Sequence, residues 1–81
     1  MNREELKSIL DRNNISSRAY SLYGPLSDDN RYILEERFGT WFVYYSERGR
    51  RIAEQIFNNE HDACIYILNK MLNDPLTKLV K

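Results

Sequence analysis

The stretch from Thr40 to Gly49, TWFVYYSERG, decides the fold of this chain. Five consecutive apolar or aromatic residues, 41–45, include the only tryptophan. β-Branched and aromatic side chains favour a pleated, half-buried surface, so the stretch predicts a strand over residues 40–47. Alternation along that strand gives it two faces, one with Trp41, Val43 and Tyr45 and the other with Phe42 and Tyr44. Aromatic residues on both faces predict a central strand.

The segments around this strand predict a small α+β domain with an antiparallel sheet of three to four strands. Apolar spacing predicts a first helix over residues 3–12, begun by Asn2, and a last helix over residues 59–73. Weak alternation predicts strands over 17–23 and 31–38. Gly39 suits a tight antiparallel hairpin between the second and third strands, with Tyr32, Leu34 and Phe38 sharing one strand face. The last residues, 76–81, add a turn or fray.

Residues 50–57, RRIAEQIF, fit two structures. Ile52 and Ile56 match both a helical spacing and a strand alternation. The segment that follows, Asn58 to Asp62, favours a new helix start, because Asn caps helices and acids suit their first turn. The sequence therefore favours a fourth strand over 50–57, with one long helix as the alternative.

Length and charge limit the possible functions. Eighty-one residues make one small domain, and the 12 basic and 12 acidic residues cancel. A domain that binds nucleic-acid phosphates usually has a basic excess, so the balance disfavours nucleic acid as a partner.

Composition gives no support for catalysis or metal binding. One cysteine and one histidine cannot supply a three- or four-ligand transition-metal site. Cys64 is predicted to be a buried apolar residue and His61 an exposed one, so they form no thiolate–imidazole pair. No phosphate-binding glycine motif is present. We therefore expect no enzyme, no cofactor and no metal.

The ends of the chain and its apolar runs predict a cytoplasmic protein. The first residues, Met1 to Glu5, are polar and lack an apolar signal-peptide core. No apolar run approaches the roughly 20 residues that cross a bilayer. We expect no membrane partner.

Several short segments resemble small immunity proteins of bacterial polymorphic-toxin and contact-dependent inhibition systems. They are YYSERG at 44–49, Phe57, Glu60, Ala63 and Cys64, together with YSLYG at 20–24 and Trp41. The resemblance covers roughly residues 6–72. It implies a small, cytoplasmic, non-enzymatic α+β protein that binds and blocks one cognate toxin domain. It transfers no contact residues, because immunity surfaces diverge with their toxins.

The face of the sheet opposite Trp41 is the predicted binding surface. Its candidates are three aromatic residues with charged residues around them: Tyr23, Phe42, Tyr44, Glu35, Arg37, Glu47 and Arg48. Exposed aromatic residues on a small domain mark interaction sites. The alternative is that the first helix covers this face as a second core layer. In that case two acidic clusters, Asp28-Asp29 and Glu60 with Asp62, become the next candidates, because acids would complement the basic cleft of a nuclease toxin.

The alternative function is a double-stranded-RNA-binding module or another small interaction domain. The RNA-binding modules share the order helix, three strands, helix. Their second helix begins with a basic cluster on phosphates. Here that helix is predicted to begin with Glu60 and Asp62, which disfavours the RNA-binding alternative.

Overall fold

The computed structural model describes residues 1–25 and 30–77, which form two α-helices and one four-stranded sheet. Helix α1 spans Arg3–Arg12 and helix α2 spans Glu60–Leu72. The strands are β1 (Tyr20–Ser21), β2 (Arg31–Arg37), β3 (Thr40–Glu47) and β4 (Arg50–Phe57), and they lie in that order across the sheet. The arrangement confirms the predicted α+β class and the fourth strand.

The first predicted strand is mostly wrong. Ser17–Ala19 form a 3₁₀ turn, and only Tyr20–Ser21 pair with β2. The Ser16 hydroxyl accepts the Arg18 N–H at 3.2 Å, and this local bond favours a turn over an extended chain. The pairing of β1 with β2 is also parallel, so the sheet is mixed instead of fully antiparallel.

Both helices pack on the same face of the sheet, which we call the core face. The core joins Leu6 and Leu10 of α1, Ile67 and Met71 of α2, and sheet residues that include Leu34, Trp41 and Val43. Trp41 is 9% exposed, which confirms its predicted place in the core. The alternative that α1 covers the opposite face is wrong, since its apolar stripe is buried here.

Asparagine side chains fix the starts of both helices. Asn2 accepts the Glu5 N–H at 2.9 Å, and Asn59 accepts the Asp62 N–H at 2.8 Å. These are N-caps, which satisfy backbone donors that lack a partner within the helix. Asn73 ends α2, and Pro75–Thr77 form a 3₁₀ turn. The predicted acidic pair Asp28-Asp29 and residues 78–81 lie outside the described residues.

Two-residue turns join the antiparallel strands. Phe38-Gly39 connects β2 to β3, and Arg48-Gly49 connects β3 to β4. All four residues have positive φ, as in type I′ turns, whose twist matches that of the flanking strands. Phe38 therefore belongs to the turn and is fully exposed at 104%, so its predicted place on a strand face is wrong.

A β-bulge in β4 changes which residues share a face. Val43 pairs with Gln55 and Tyr45 pairs with Ile52, so β4 has one extra residue over this interval. Ala53, with φ of +55°, is that irregular position. Because paired residues point to the same side, Ile52 faces the core side with Tyr45. Ile56 pairs with Phe42 and faces the opposite side.

Candidate binding face of the sheet

The sheet face opposite the helices, which we call the far face, carries mixed aromatic, aliphatic and charged side chains. The strand register defines it through the pairs Ile33–Tyr44, Glu35–Phe42, Phe42–Ile56 and Ser46–Arg51. Within residues 1–25 and 30–77, no helix packs on this face, since α1 and α2 both lie on the core face. Ile33 and Tyr44 on this face are nevertheless buried, at 1% and 3% exposure.

A chain of ion pairs crosses the far face from β2 to β4. Glu35 Oε2 lies 2.8 Å from Arg37 Nε, and Glu35 Oε1 lies 3.2 Å from Arg51 Nη2. Arg51 Nη1 in turn lies 2.7 Å from Glu54 Oε2. The Glu35 side chain is only 10% exposed, and its two arginine partners offset the cost of burying the carboxylate. We call these four residues the Glu35 network.

Tyr44 lies beneath this network. The Arg51 guanidinium carbon sits 4.4 Å from the centroid of the Tyr44 ring, within the range of a cation–π contact. The Tyr44 hydroxyl is 3.4 Å from Glu35 Oε1, a long hydrogen bond. Burial, before all other causes, raises the pKa of Tyr44. At 3% exposure Tyr44 supports the network from below, and its predicted exposure is wrong.

The end of the far face nearest the β2–β3 turn is apolar. Ile56 is 63% exposed and pairs directly with the half-buried Phe42. The side chain of Arg37, beside them on β2, is 56% exposed. An exposed aliphatic side chain next to an aromatic ring and charged groups has the composition of an interface centre with a polar rim.

The predicted site residues fall into three places. Phe42, Tyr44, Glu35 and Arg37 come together on the far face, as the alternation predicted. Glu47 and Arg48 lie at the other end of the sheet, in and before the β3–β4 turn.

Tyr23 lies apart from all of these. It is 71% exposed, and the Arg3 guanidinium carbon lies 4.4 Å from its ring centroid. Arg3 also contacts the Trp41 ring, so Tyr23 belongs to the helix side of the molecule. Its predicted place beside Phe42 and Tyr44 is wrong.

Sequence reasoning missed Arg51, Glu54 and Ile56. The charges of Arg51 and Glu54 and the aliphatic chain of Ile56 can be read from the sequence. The sheet face on which these residues lie depends on the bulge at Ala53. Regular alternation would place Ile56 on the same side as Ile52. The positive φ of an alanine has no sequence signal of its own.

The largest described cleft lies on another side of the molecule. It has a volume of about 400 Å³ and is lined by residues that include Arg18, Tyr32, Tyr45 and Asp74. The Tyr32 hydroxyl donates to Asp74 Oδ2 at 2.9 Å, and the Tyr45 ring packs edge-on against Tyr32. Burial first, and the Asp74 hydrogen bond second, raise the pKa of Tyr32 to about 12. The phenol is therefore a neutral structural donor at ordinary pH.

The cysteine and histidine considered as a reactive pair differ in burial. Cys64 is fully buried, as predicted, and burial raises the pKa of its thiol to about 11. His61 is exposed at the start of α2. In the described part of the chain, no group of three or more His, Cys, Asp or Glu residues is placed to hold a metal ion.

Comparison with known proteins identifies no relative of this chain. No protein-family model matches this chain, and no curated protein and no solved structure matches it. Neither helix of the described residues has the length and apolar character needed to cross a membrane.

Proposed function

We propose that this chain is an immunity protein that binds a cognate bacterial toxin domain and neutralises it by stoichiometric protein–protein contact. The observation that carries the proposal is Ile56, 63% exposed and paired with Phe42 on a sheet face that bears no helix in the described residues. The resemblance of residues 44–49 to small immunity proteins supplies the class of partner.

Two kinds of residue on the far face contribute to binding in different ways. Burial of Ile56 and Phe42 against the partner provides affinity, since buried apolar anchors account for most of the binding energy of an interface. The charges of the Glu35 network orient the partner on this surface. Charges at the rim of an interface mainly affect the association rate and the choice of partner.

In this proposal the protein acts in the cytoplasm, without a cofactor, a metal or a catalytic step. Inhibition follows from occupancy alone, so one molecule blocks one toxin domain. Tyr44 and Glu35 hold the surface in shape, and Arg37 stands at its edge.

Two isoleucines of β4 give a matched test. Ile56→Ala removes an exposed side chain from the far face, and Ile52→Ala removes the same side chain from the core side of the same strand. Where a neighbouring gene encodes a toxin domain, calorimetric titration against that domain should show Ile56→Ala weakening binding about tenfold. Ile52→Ala should leave the dissociation constant nearly unchanged.

Circular dichroism and urea unfolding of both variants separate binding from folding. Equal effects of the two substitutions would place the contact away from the far face. If the unaltered protein does not bind the toxin domain, the proposed function is wrong.

Double-stranded RNA is the second candidate partner, because the order helix, three antiparallel strands, helix occurs with both helices on one face. The start of α2 opposes it, since Glu60 and Asp62 occupy its first turn. We expect no binding to an RNA duplex at physiological salt in a gel-shift titration. Salt-dependent binding there, with none to the toxin domain, would favour the RNA-binding function.

A further inference from the structure

The tip of the β2–β3 hairpin exposes a phenylalanine completely. Phe38 has a fractional exposure of 104%, the highest among the exposed large hydrophobic residues. It occupies the first central position of its two-residue turn, with φ of +51°. Asn, Asp and Gly are the residues that suit this position, because bulky side chains strain a left-handed backbone. Phe38 is thus unfavourable both for the backbone and for solvation.

The turn around Phe38 is fixed by its neighbours. The Glu36 carboxylate accepts the Gly39 N–H at 2.7 Å, across the base of the turn. Arg37 pairs with Thr40 in the strand register and with Glu35 through its side chain. The aromatic ring therefore projects from an ordered support. Such pre-organisation lowers the entropy lost when an aromatic side chain is buried by a partner.

Phe38 lies at the apolar end of the far face. The pairs Arg37–Thr40, Trp41–Phe57 and Phe42–Ile56 bring the β2–β3 turn and the last residues of β4 to one end of the sheet. Phe38 therefore extends the surface formed by Phe42 and Ile56 beyond the edge of the domain. A convex tip of this kind fits a concave site.

We propose that Phe38 is the anchor of the interface and inserts into an apolar pocket of the toxin domain. This inference rests on the proposed function and adds the residue and the shape of the contact. Backbone strain retained at an exposed site is typical of positions kept for function. The charged neighbours Glu36 and Arg37 disfavour insertion of the tip into a lipid bilayer, which takes a broad apolar face with basic residues.

The substitution Phe38→Asn tests this role, because asparagine suits the turn while removing the ring. Calorimetric titration against the same candidate toxin domain should show a dissociation constant raised by more than about tenfold. The urea midpoint should equal or exceed that of the unaltered protein. Ile65→Ala, which removes an exposed aliphatic chain from α2, is the matched control and should bind normally.

Each of the other outcomes would contradict the anchor role of Phe38, and each has its own distinguishing result. If Phe38→Asn binds as tightly as the unaltered protein, Phe38 is no anchor and the proposed function stands. A lowered urea midpoint would make Phe38 a structural residue. Phe38-dependent binding to vesicles of anionic phospholipid would make the tip a membrane contact. If the unaltered protein does not bind the toxin domain, the proposed function fails and the anchor role fails with it.

Discussion

Arg3 joins α1 to three other parts of the molecule through its side chain and its backbone N–H. Its guanidinium carbon lies 4.4 Å from the Tyr23 ring centroid and 4.9 Å from that of Trp41. Its Nη1 donates to the Leu22 carbonyl at 3.2 Å. Its backbone N–H donates to Glu60 at 3.0 Å, at the start of α2. The planar guanidinium can stack on two rings and donate at its edge at the same time, which an ammonium cannot do.

Loss of this residue should destabilise the fold. Arg3→Ala removes two partly exposed cation–π contacts, one hydrogen bond and the 3.8 Å ion pair of Arg3 Nε with Glu60. We therefore expect the free energy of unfolding to fall by about 1–2 kcal/mol. Arg3→Lys should retain only part of this stabilisation, because an ammonium cannot stack on two rings and donate at its edge at the same time. Lys7→Ala is the control: Lys7 pairs with Asp11 at 3.2 Å on the exposed side of α1, where solvent screens the pair, so its loss should barely change stability. Equal urea midpoints for the two alanine variants would contradict the joining role of Arg3.

Cys64 should be nearly unreactive in the folded protein. It is fully buried, and its thiol pKa of about 11 leaves only a very small thiolate fraction near neutral pH. A thiol reagent should label the native protein at least about a hundredfold more slowly than urea-unfolded protein. Rapid labelling of native protein, followed by absorbance, would show that the site opens or is accessible.

At the scale of single elements, β4 depends on its bulge. Ala53 has a positive φ, which costs a non-glycine residue about 1 kcal/mol. Ala53→Gly should therefore raise the free energy of unfolding by roughly that amount, measured by urea unfolding. Gln55→Gly, at a regular position of the same strand, is the control and should lower it by about 0.5–1 kcal/mol. If both substitutions destabilise equally, the bulge carries no strain.

The elements that the sequence predicted well are those with strong local signals. The aromatic run at 40–47 is strand β3 with those bounds, and the asparagine caps place both helices to within a residue. The errors arise where strand pairing, and not the local pattern of residues, decides the structure. Tyr20 and Ser21 are a strand because β2 lies beside them. Phe38 is a turn residue because Arg37 pairs with Thr40.

The candidate site was predictable only in its central strand for the same reason. Alternation along β3 correctly placed Phe42 and Tyr44 on one face. It could not indicate that Arg51 covers the Tyr44 ring, because that contact requires the register of β4 and the extra residue at Ala53. Tyr23 was misplaced because the strand expected to carry it ends at Ser21.

At the scale of the whole molecule, four tyrosines that are buried or half-buried predict a loss of stability in alkali. The pKa values of Tyr20, Tyr44 and Tyr45 are raised mainly by burial, and that of Tyr32 reaches about 12. A group whose pKa is raised in the folded state stabilises the fold below its ordinary pKa. That contribution is lost as the pH rises through the folded pKa. Stability should therefore fall from about pH 10 to about pH 12.

Tyr32→Phe isolates one part of this effect. The variant loses the hydrogen bond to Asp74, so near neutral pH it should be less stable by about 1 kcal/mol. Its further loss between about pH 10 and about pH 12 should be smaller than that of the unaltered protein, because it has no phenol to ionise at this position. Urea midpoints measured across this range give both quantities. Parallel curves would contradict a raised pKa of Tyr32.

The β-bulge at Ala53 also affects the tendency of this protein to aggregate while many copies are being synthesised. β4 is the outer strand of the sheet, and an outer strand offers its free backbone groups to any other extended chain. A regular ladder cannot continue past a residue with φ of +55°, and Arg50, Arg51 and Glu54 line the same strand with charge. Nascent chains that meet at this edge are therefore hindered from joining into cross-β aggregates.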